Sequence, residues 1–281
     1  MPNDLQTPTG SRIDAAIARS WLLVNASVPS AYAAAARSDA DQIILDIEDA
    51  VDPRHKDAAR ESVANWLRGV GAWVRINDRT TPFWSDDVDQ LCGTPGLAGV
   101  VLAKTEYPDQ VDETFERLGG HTPVIPLIES AMGIENAVDI ARCRGVLRLA
   151  FGSGDYRRDT ATTADDLVMA YPRSRLVVAS RVAGLTGPID GPAVTDDESV
   201  LREKTATTVA FGLTGKLCLH PRHTGVINTV ISPSPADAAW ATGFLTDFEA
   251  RGRVVRDGSD LPRLKRAEQI TELANQFGVL G

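Results

Sequence analysis

The segment P-V-I-P-L-I-E-S at residues 123–130 begins the stretch that decides the fold. A helical pattern follows over residues 134–143, and the stretch ends with V-L-R-L-A-F-G-S-G-D at residues 146–155. Two short apolar runs joined by an amphipathic helix are typical of a strand–helix–strand unit. Glu129 follows the first run and Asp155 the second. If the strands are adjacent and parallel, the roughly 4.8 Å strand spacing lets both carboxylates reach one ion.

The chemistry around Glu129 and Asp155 favours a hard cation. The sequence places no histidine or cysteine beside either residue, so Mg²⁺ is the predicted guest. Gly152 and Gly154 precede the second acid within G-S-G-D and allow a ligand to approach the backbone. The alternative is structural, because carboxylates at strand ends also cap helices or pair with arginine.

Composition narrows the class of protein. The 281 residues are 43% hydrophobic and 24% charged, with a formal net charge of −9. These values are typical of a globular protein with a sizeable core. The negative charge argues against nucleic acid or an anionic membrane as the main partner. The three cysteines form no C-x-x-C pair, and we find no signal peptide or membrane span, so a cytoplasmic location is expected.

Apolar runs alternate with helical patterns along the chain. Besides the two runs above, the predicted strands lie at residues 21–26, 42–47, 72–77, 100–105, 187–192 and 216–221. The other predicted helices lie at residues 30–40, 56–69, 84–91, 108–118, 174–183, 196–211, 224–230, 236–250 and 264–277. Eight such units predict an α/β fold, a (β/α)8 TIM barrel with a C-terminal helical extension. An open doubly wound sheet is the alternative, although no G-x-G-x-x-G follows a strand.

The expected domain organisation has three parts. Residues 1–12 form a flexible tail, residues 13–232 the catalytic barrel, and residues 233–281 a helical lid that could cover a barrel mouth, its own or a neighbour's. In such barrels the chemistry lies at the carboxyl ends of the strands. The polar residues at those ends are Asp46, Glu48, Asp49, Arg75, Asn77, Lys104, Glu106, Glu129, Asp155 and His220.

Two cations stand among these acids. Arg75 suits a substrate carboxylate, because its planar fork donates two charge-assisted hydrogen bonds, and an ion pair with Asp46 or Glu48 is the alternative. Lys104 could be a Schiff-base nucleophile, an anion contact or a salt-bridge partner. A metal can serve as the electron sink, which disfavours the Schiff base. Asp49 and Asp52 are expected to cap the turn before the helix at residue 56.

Several motifs together resemble a known family. They are D-I-E-D-A-V (46–51) with K-x-x-A-R (56–60), V-R-I-N (74–77), L-A-K-T-E (102–106), P-L-I-E-S-A-M-G-I-E-N-A (126–137), F-G-S-G-D (151–155) and G-L-T-G-K-L-C-L-H-P-R-H (212–223). This pattern resembles the citrate lyase β-subunit-like family, which also holds malyl-CoA and citramalyl-CoA lyases within the HpcH/HpaI aldolase superfamily. The similarity runs from about residue 19 to at least residue 238.

The resemblance implies an enzyme, a TIM barrel that cleaves or forms a carbon–carbon bond between a 2-oxo acid and an acyl-thioester enolate with Mg²⁺. The family's metal carboxylates fall on Glu129 and Asp155, and its substrate arginine falls on Arg75. Its acidic residues that hold metal-bound waters fall on Asp46 and Glu48. Glu129, Asp46 and Lys104 are thereby expected to contact substrate as well.

The C-terminal region carries a further implication of the resemblance. Family members have a lid, often reaching into a neighbouring subunit of a trimer, with an aspartate that acts as acid and base. Here D-G-S-D-L-P (257–262) resembles a shortened version of that loop, which makes Asp260 the candidate and a homotrimer or larger homo-oligomer the expected assembly.

The loop after the first strand departs from the family. Relatives carry Pro-Gly and basic residues that help hold CoA, whereas this chain has no Arg or Lys from residue 25 until Arg37. Arg157 and Arg158 follow Asp155 and could instead bind phosphate or a second carboxylate, or be solvated.

The hypothesis that combines these features is a Mg²⁺-dependent lyase for a 3-hydroxy acyl-CoA of the malyl-CoA or citramalyl-CoA type. A carboxylate base, Asp260 or Glu48 through a water, would take the hydroxyl proton. One alternative is an aldolase on free 2-oxo or hydroxy acids. Another is a citrate lyase β-like subunit that depends on partner chains.

Overall fold

The computed structural model describes residues 12–279, so the expected N-terminal tail lies almost wholly outside the described residues. Within that range, eight parallel strands close into a barrel in sequence order, with β1 paired to β8. The strands are β1 (Ser20–Asn25), β2 (Gln42–Asp46), β3 (Ala72–Ile76), β4 (Leu97–Leu102), β5 (Val124–Ile128), β6 (Ala150–Phe151), β7 (Ile189–Asp190) and β8 (Gly215–Cys218). The predicted (β/α)8 barrel is confirmed.

Helices connect successive strands and extend the chain beyond the last one. They are α1 (Tyr32–Ala36), α2 (Lys56–Leu67), α3 (Pro82–Leu91), α4 (Pro108–Arg117), α5 (Ala131–Glu135), α6 (Ala137–Ala141), α7 (Ser153–Thr160), α8 (Ala170–Val182), α9 (Glu198–Ala210), α10 (Thr224–Ile231), α11 (Pro235–Ala250) and α12 (Asp260–Gln276). None of the helices in the described part of the chain is long and apolar enough to cross a membrane.

Apolar side chains fill the barrel interior. The rings of Trp21 and Trp73 meet edge to face there, with centroids 5.4 Å apart. A Cβ on Gly99 would lie 2.4 Å from the Trp73 ring and 2.7 Å from the carbonyl oxygen of Pro123, so only glycine fits beside this indole. Burying two aromatic rings contributes on the order of several kcal/mol to the stability of the closed barrel.

Arg148 lies among these buried side chains with 0% of its surface exposed. Its guanidinium donates to the carbonyl oxygens of Ala18 at 2.7 Å and Gly187 at 2.8 Å, and to Thr214 Oγ1 at 3.0 Å. Burial lowers the pKa of Arg148 to about 9, so the group stays charged at neutral pH. One side chain thus ties together the segments that enter β1, β7 and β8. The sequence signal of this contact is a single charge inside an apolar run.

The unit that began the sequence analysis differs from its prediction in two details. In place of the helix predicted at residues 134–143, the short helices α5 and α6 cover residues 131–141 and meet at Asn136, whose side-chain amide donates to the carbonyl oxygen of Glu106 at 2.8 Å. Strand β6 has only two residues, and Asp155 lies in the first turn of α7 rather than at the strand end. The pairing itself is as predicted, with Leu127 opposite Ala150 and Ile128 opposite Phe151 in parallel.

The described chain divides into two compact units between Ile227 and Asn228. The C-terminal unit contains α11 packed on α12. Helix α12 begins four residues earlier than predicted, at Asp260, which lies in its first turn within the D-G-S-D-L-P segment. The expected boundary at residues 232/233 and the lid role stay predictions.

Candidate active site

A buried ion pair joins the ends of β2 and β3. Asp46 and Arg75 are register partners in this parallel pair of strands. Arg75 donates Nε and Nη2 to the two carboxylate oxygens of Asp46, each at 2.7 Å. Burial opposes the charged guanidinium, but Asp46 and the nearby Glu48 outweigh it and raise the pKa of Arg75. The ion pair considered as the alternative role of Arg75 is therefore present, and it fixes the plane of the guanidinium.

The third nitrogen of Arg75 faces the next acid. Nη1 lies 3.4 Å from Glu48 Oε2, a buried oxygen that accepts no hydrogen bond from the described residues. Burial raises the pKa of Glu48, and the charges of Arg75 and Lys104 offset this only in part. A buried carboxylate with a raised pKa is a stronger base than an exposed one, which makes Glu48 a candidate for proton transfer.

Lys104 crosses from the end of β4 to the acids that follow β2. Its Nζ donates to Glu48 Oε1 at 2.5 Å and to Asp49 Oδ1 at 3.1 Å. Burial lowers the pKa of Lys104, but these two carboxylates outweigh burial and raise it overall. The ammonium therefore stays charged, which argues against a Schiff base. The expected cap at Asp49 is wrong, since Asp49 pairs with Lys104, whereas Asp52 does cap by accepting from Arg54 N at 2.9 Å.

The backbone of Lys104 is strained and bonded to Glu129. Lys104 has a φ of 48°, a conformation that costs a non-glycine residue about 1 kcal/mol or more. Its amide donates to Glu129 Oε1 at 2.8 Å, which holds both the turn and the carboxylate in place. Strain maintained by a bond to a candidate ligand is a feature of functional sites.

Glu129 is buried directly after β5, with 4% of its surface exposed. Burial, with a smaller contribution from the charge of Asp155, raises the pKa of Glu129 to about 8 despite the hydrogen bond from Lys104. A Cβ on Gly152 would lie 2.1 Å from Glu129 Oε2, so glycine is required where the two strand ends meet. The carboxylates of Glu129 and Asp155 are thus close enough to repel each other, as the predicted unit requires.

The side chains of this region fit a divalent cation that takes only a few of its ligands from the protein. Among residues 12–279, no group of three or more His, Cys, Asp or Glu side chains is arranged to hold a metal. Mg²⁺ commonly uses one or two carboxylates and keeps several waters, so two acids suffice. Asp155 Oδ1 is buried without a well-directed hydrogen bond, although it lies against Arg158. A divalent cation would supply positive charge to the buried carboxyl of Glu129, whose pKa is raised chiefly by burial, and would compete with Arg158 for Asp155.

Asp260 is engaged inside the C-terminal unit. It accepts from Arg251 Nη1 at 2.8 Å and from the amide of Arg256 at 2.7 Å. These hydrogen bonds, chiefly the one from Arg251, lower the pKa of Asp260 to about 2. In this arrangement Asp260 is a weak base, and its catalytic role stays a prediction.

The structure brings together five of the predicted site residues in one hydrogen-bonded group: Asp46, Glu48, Arg75, Lys104 and Glu129. Asp155 joins them through its electrostatic effect on Glu129. Sequence reasoning missed Lys56, whose buried Nζ donates to the carbonyl oxygens of Ile47 and Glu48 at 2.9 Å each. Its position ten residues after Asp46, within K-x-x-A-R, was the available signal.

Comparison with known proteins shows the family of the chain. Residues 19–221 match the HpcH/HpaI aldolase/citrate lyase family, and residues 236–278 match the HpcH/HpaI aldolase C-terminal domain. The chain belongs to the HpcH/HpaI aldolase/citrate lyase family. The predicted family is confirmed, and with it the prediction that the chain is an enzyme of the lyase class.

Relatives in the HpcH/HpaI family cover most of the chain. The citrate lyase subunit beta of Leuconostoc mesenteroides is 28% identical over 92% of this chain and 93% of its own length. The L-malyl-CoA/beta-methylmalyl-CoA lyase of Cereibacter sphaeroides is 28% identical over 89% and 92%, respectively. A structure of CitE from Mycobacterium tuberculosis in complex with magnesium, acetoacetate and coenzyme A matches with a TM-score of 0.77 and 27% identity, over 92% of this chain and 99% of that one.

Proposed function

We propose that this chain is a Mg²⁺-dependent lyase that cleaves or forms a 3-hydroxy acyl-CoA of the malyl-CoA or citramalyl-CoA type from a 2-oxo acid and an acyl-CoA. The observation that carries the proposal is the buried Glu129, whose pKa is raised to about 8 beside Asp155. Two relatives support the substrate class, since one is a malyl-CoA lyase and one CitE structure holds magnesium, acetoacetate and coenzyme A. A further structure, of a citrate lyase beta subunit, holds oxaloacetate and magnesium.

Glu129 and Asp155 would hold the cation, and water and substrate oxygens would complete its shell. When bound, a divalent cation supplies a Lewis acid for the negative charge that develops on a substrate oxygen. Arg75 orients the substrate carboxylate through Nη1, because its Nε and Nη2 already donate to Asp46. Lys104 keeps Glu48 in place through the hydrogen bond from Nζ to Oε1.

Glu48 is the stronger of the two candidate bases, since its pKa is raised while that of Asp260 is lowered to about 2. We therefore expect Glu48→Gln to reduce kcat by about 10²- to 10⁴-fold, the usual contribution of general acid–base catalysis. Asp260→Asn is the matched comparison and is expected to change kcat by less than about tenfold. Steady-state kinetics of the two variants measure these losses. A larger loss of kcat in Asp260→Asn than in Glu48→Gln would assign the base to Asp260.

Proton linkage at Glu129 gives a pH dependence. The carboxyl is mostly protonated below its pKa of about 8, so the proton must leave before a cation binds. We expect the Mg²⁺ affinity of the metal-free chain to rise about tenfold per pH unit below about pH 8 and to level off above it. Calorimetric titration in buffers of different ionisation enthalpy measures both the affinity and the released proton. An affinity independent of pH would contradict a protonated Glu129.

Metal removal tests the function itself. Cleavage of malyl-CoA and citramalyl-CoA by the purified chain should stop after treatment with EDTA and return on addition of Mg²⁺. Cleavage that continues without divalent metal would contradict the proposal.

A second candidate, an aldolase on free 2-oxo or hydroxy acids, is favoured by one observation. The segment after β1 has no Arg or Lys until Arg37 and folds into a 3-10 turn (Pro29–Ala31) followed by α1. If CoA is part of the substrate, free CoA should compete with it, whereas no competition favours the free acid. Turnover by the isolated chain would exclude dependence on partner subunits, and light scattering would test the expected homotrimer.

A further inference from the structure

A cavity of about 300 Å³ lies between α7, α8, α9 and the loop that follows β7. Its lining contains four basic side chains: Arg157, Arg173, Lys204 and Lys216. Neither Glu129 nor Asp155 lines it, so it is distinct from the strand-end acids. We propose that this cavity binds a small oxyanion of charge −2, a phosphate group or a dicarboxylate.

Acidic residues neutralise only half of the positive charge. Asp166 lines the cavity and accepts from Lys204 Nζ at 2.8 Å and Arg173 Nη1 at 3.2 Å. The fully buried Asp190 lies behind the lining and accepts from Lys216 Nζ at 3.0 Å and Arg173 Nε at 3.2 Å. Four cations and two acids leave a surplus of two positive charges.

This surplus is maintained at neutral pH. Burial opposes ionisation of Asp190 and Asp166, but the neighbouring lysines and Arg173 outweigh it and lower the pKa of both carboxyls. Both carboxylates therefore already carry their negative charge, and no further ionisation of Asp190 or Asp166 can neutralise the surplus. In a chain with a formal net charge of −9, a local positive excess in an enclosed space favours an anionic guest.

Donors in the cavity remain available to such a guest. Lys216 is 1% exposed, and its Nζ donates to Asp190 Oδ2 and to Thr208 Oγ1, each at 3.0 Å. An ammonium carries three N–H groups, so one is unused by the described residues. Arg157 donates Nε to the carbonyl oxygen of Ser153 at 3.1 Å, and its two Nη groups make no hydrogen bond to the described residues. A doubly charged oxyanion can accept from both cations at once.

The cavity is connected to the candidate active site through α7. This helix carries Arg157 on the cavity side and Asp155, a proposed metal ligand, two residues earlier. An anion bound in the cavity would therefore contact the element that positions Asp155. Binding of the anion does not depend on the proposed lyase reaction, and the test below needs neither metal nor substrate.

Calorimetric titration of the full chain in EDTA tests the proposal, with inorganic phosphate and malonate as separate titrants at constant ionic strength. We expect saturable one-to-one binding of at least one of them, and the tighter titrant identifies the source of the oxyanion. Arg157→Gln and Lys204→Gln should each weaken binding about tenfold, the usual effect of losing one charge-assisted hydrogen bond. Both side chains are half-buried, so the variants should fold, as circular dichroism would verify.

Arg202→Gln is the matched control, because it removes one positive charge from the exposed face of α9, where Arg202 pairs with Glu198 at 3.0 Å. Its binding should equal that of the parent chain. Absence of saturable binding with both titrants would overturn the proposal. So would equal weakening in Arg202→Gln, since that would indicate a general charge effect.

Discussion

Replacement of Glu129 by glutamine is expected to abolish metal-dependent turnover while leaving the folded chain intact. The amide keeps the shape of the side chain and still accepts the hydrogen bond from the Lys104 amide, made at 2.8 Å in the parent chain. It cannot supply the negative charge that a divalent cation needs. We expect kcat to fall on the order of 10³-fold or more, because a Lewis acid contributes several kcal/mol to stabilisation of the transition state.

In contrast to turnover, the free energy of unfolding of the metal-free chain should rise on this replacement. The pKa of Glu129 is raised to about 8 in the folded chain, above the ordinary carboxyl value, so the folded state binds more protons than the unfolded state between these values. The metal-free parent chain therefore loses stability as pH rises towards about 8, and Glu129→Gln lacks that loss. Urea unfolding at several pH values measures the difference. A variant that loses activity together with stability would indicate a structural role only.

Glu135→Gln is a suitable control for the Glu129 variant. Glu135 lies on α5 in the same strand–helix–strand unit and accepts from the exposed Tyr171 hydroxyl at 2.6 Å. We expect its turnover to remain within about twofold of the parent chain, since an exposed hydrogen bond contributes at most about 1 kcal/mol to stability.

Arg148→Met is expected to cause the largest loss of stability, about 3–5 kcal/mol. The substitution keeps an apolar stem against the Trp21 ring, which lies 5.8 Å from the guanidinium carbon in the parent chain. It leaves the buried carbonyl oxygens of Ala18 and Gly187 without the donors that now lie at 2.7 and 2.8 Å. Each unsatisfied buried acceptor costs about 1–3 kcal/mol.

Urea unfolding followed by tryptophan fluorescence measures this loss. A lower midpoint with an unchanged m-value, the slope of the unfolding free energy against urea concentration, reports the change in stability. Arg144→Met is the matched control, because Arg144 is an exposed residue of the same segment that pairs with Glu116 at 3.0 Å. It should cost less than about 1 kcal/mol. A similar small cost for Arg148→Met would show that other groups close this end of the barrel.

The barrel could be predicted because its strands are buried on both sides and appear as continuous apolar runs. The rule that chemistry lies at the carboxyl ends of the strands then selected Arg75 and Glu129 from many charged residues. The shortness of β6 was not predicted, and neither were the hydrogen bonds of the preceding Arg148. The bond from Arg148 to Ala18 spans 130 residues of sequence, a separation that local patterns do not encode.

Details of the site were also beyond sequence reasoning. The left-handed backbone of Lys104 and its contact with Asp49 depend on the distance between the ends of β2 and β4, which local patterns do not encode. The break at Asn136 is another example, since the side-chain amide of Asn136 donates to a carbonyl oxygen thirty residues earlier in the chain. Charge type, strand position and the possible pairing of Arg75 with Asp46 were predictable, whereas the contacts of Lys104 with Glu48 and Asp49 were not.

A crystal structure of the full chain with Mn²⁺ in place of Mg²⁺ and pyruvate tests the central claim most directly, because anomalous scattering locates the ion independently of its ligands. We predict one manganese peak bound by carboxylate oxygens of both Glu129 and Asp155, with the pyruvate carboxylate against Arg75 Nη1. No peak between these two acids, with Asp155 still held by Arg158, would contradict the account.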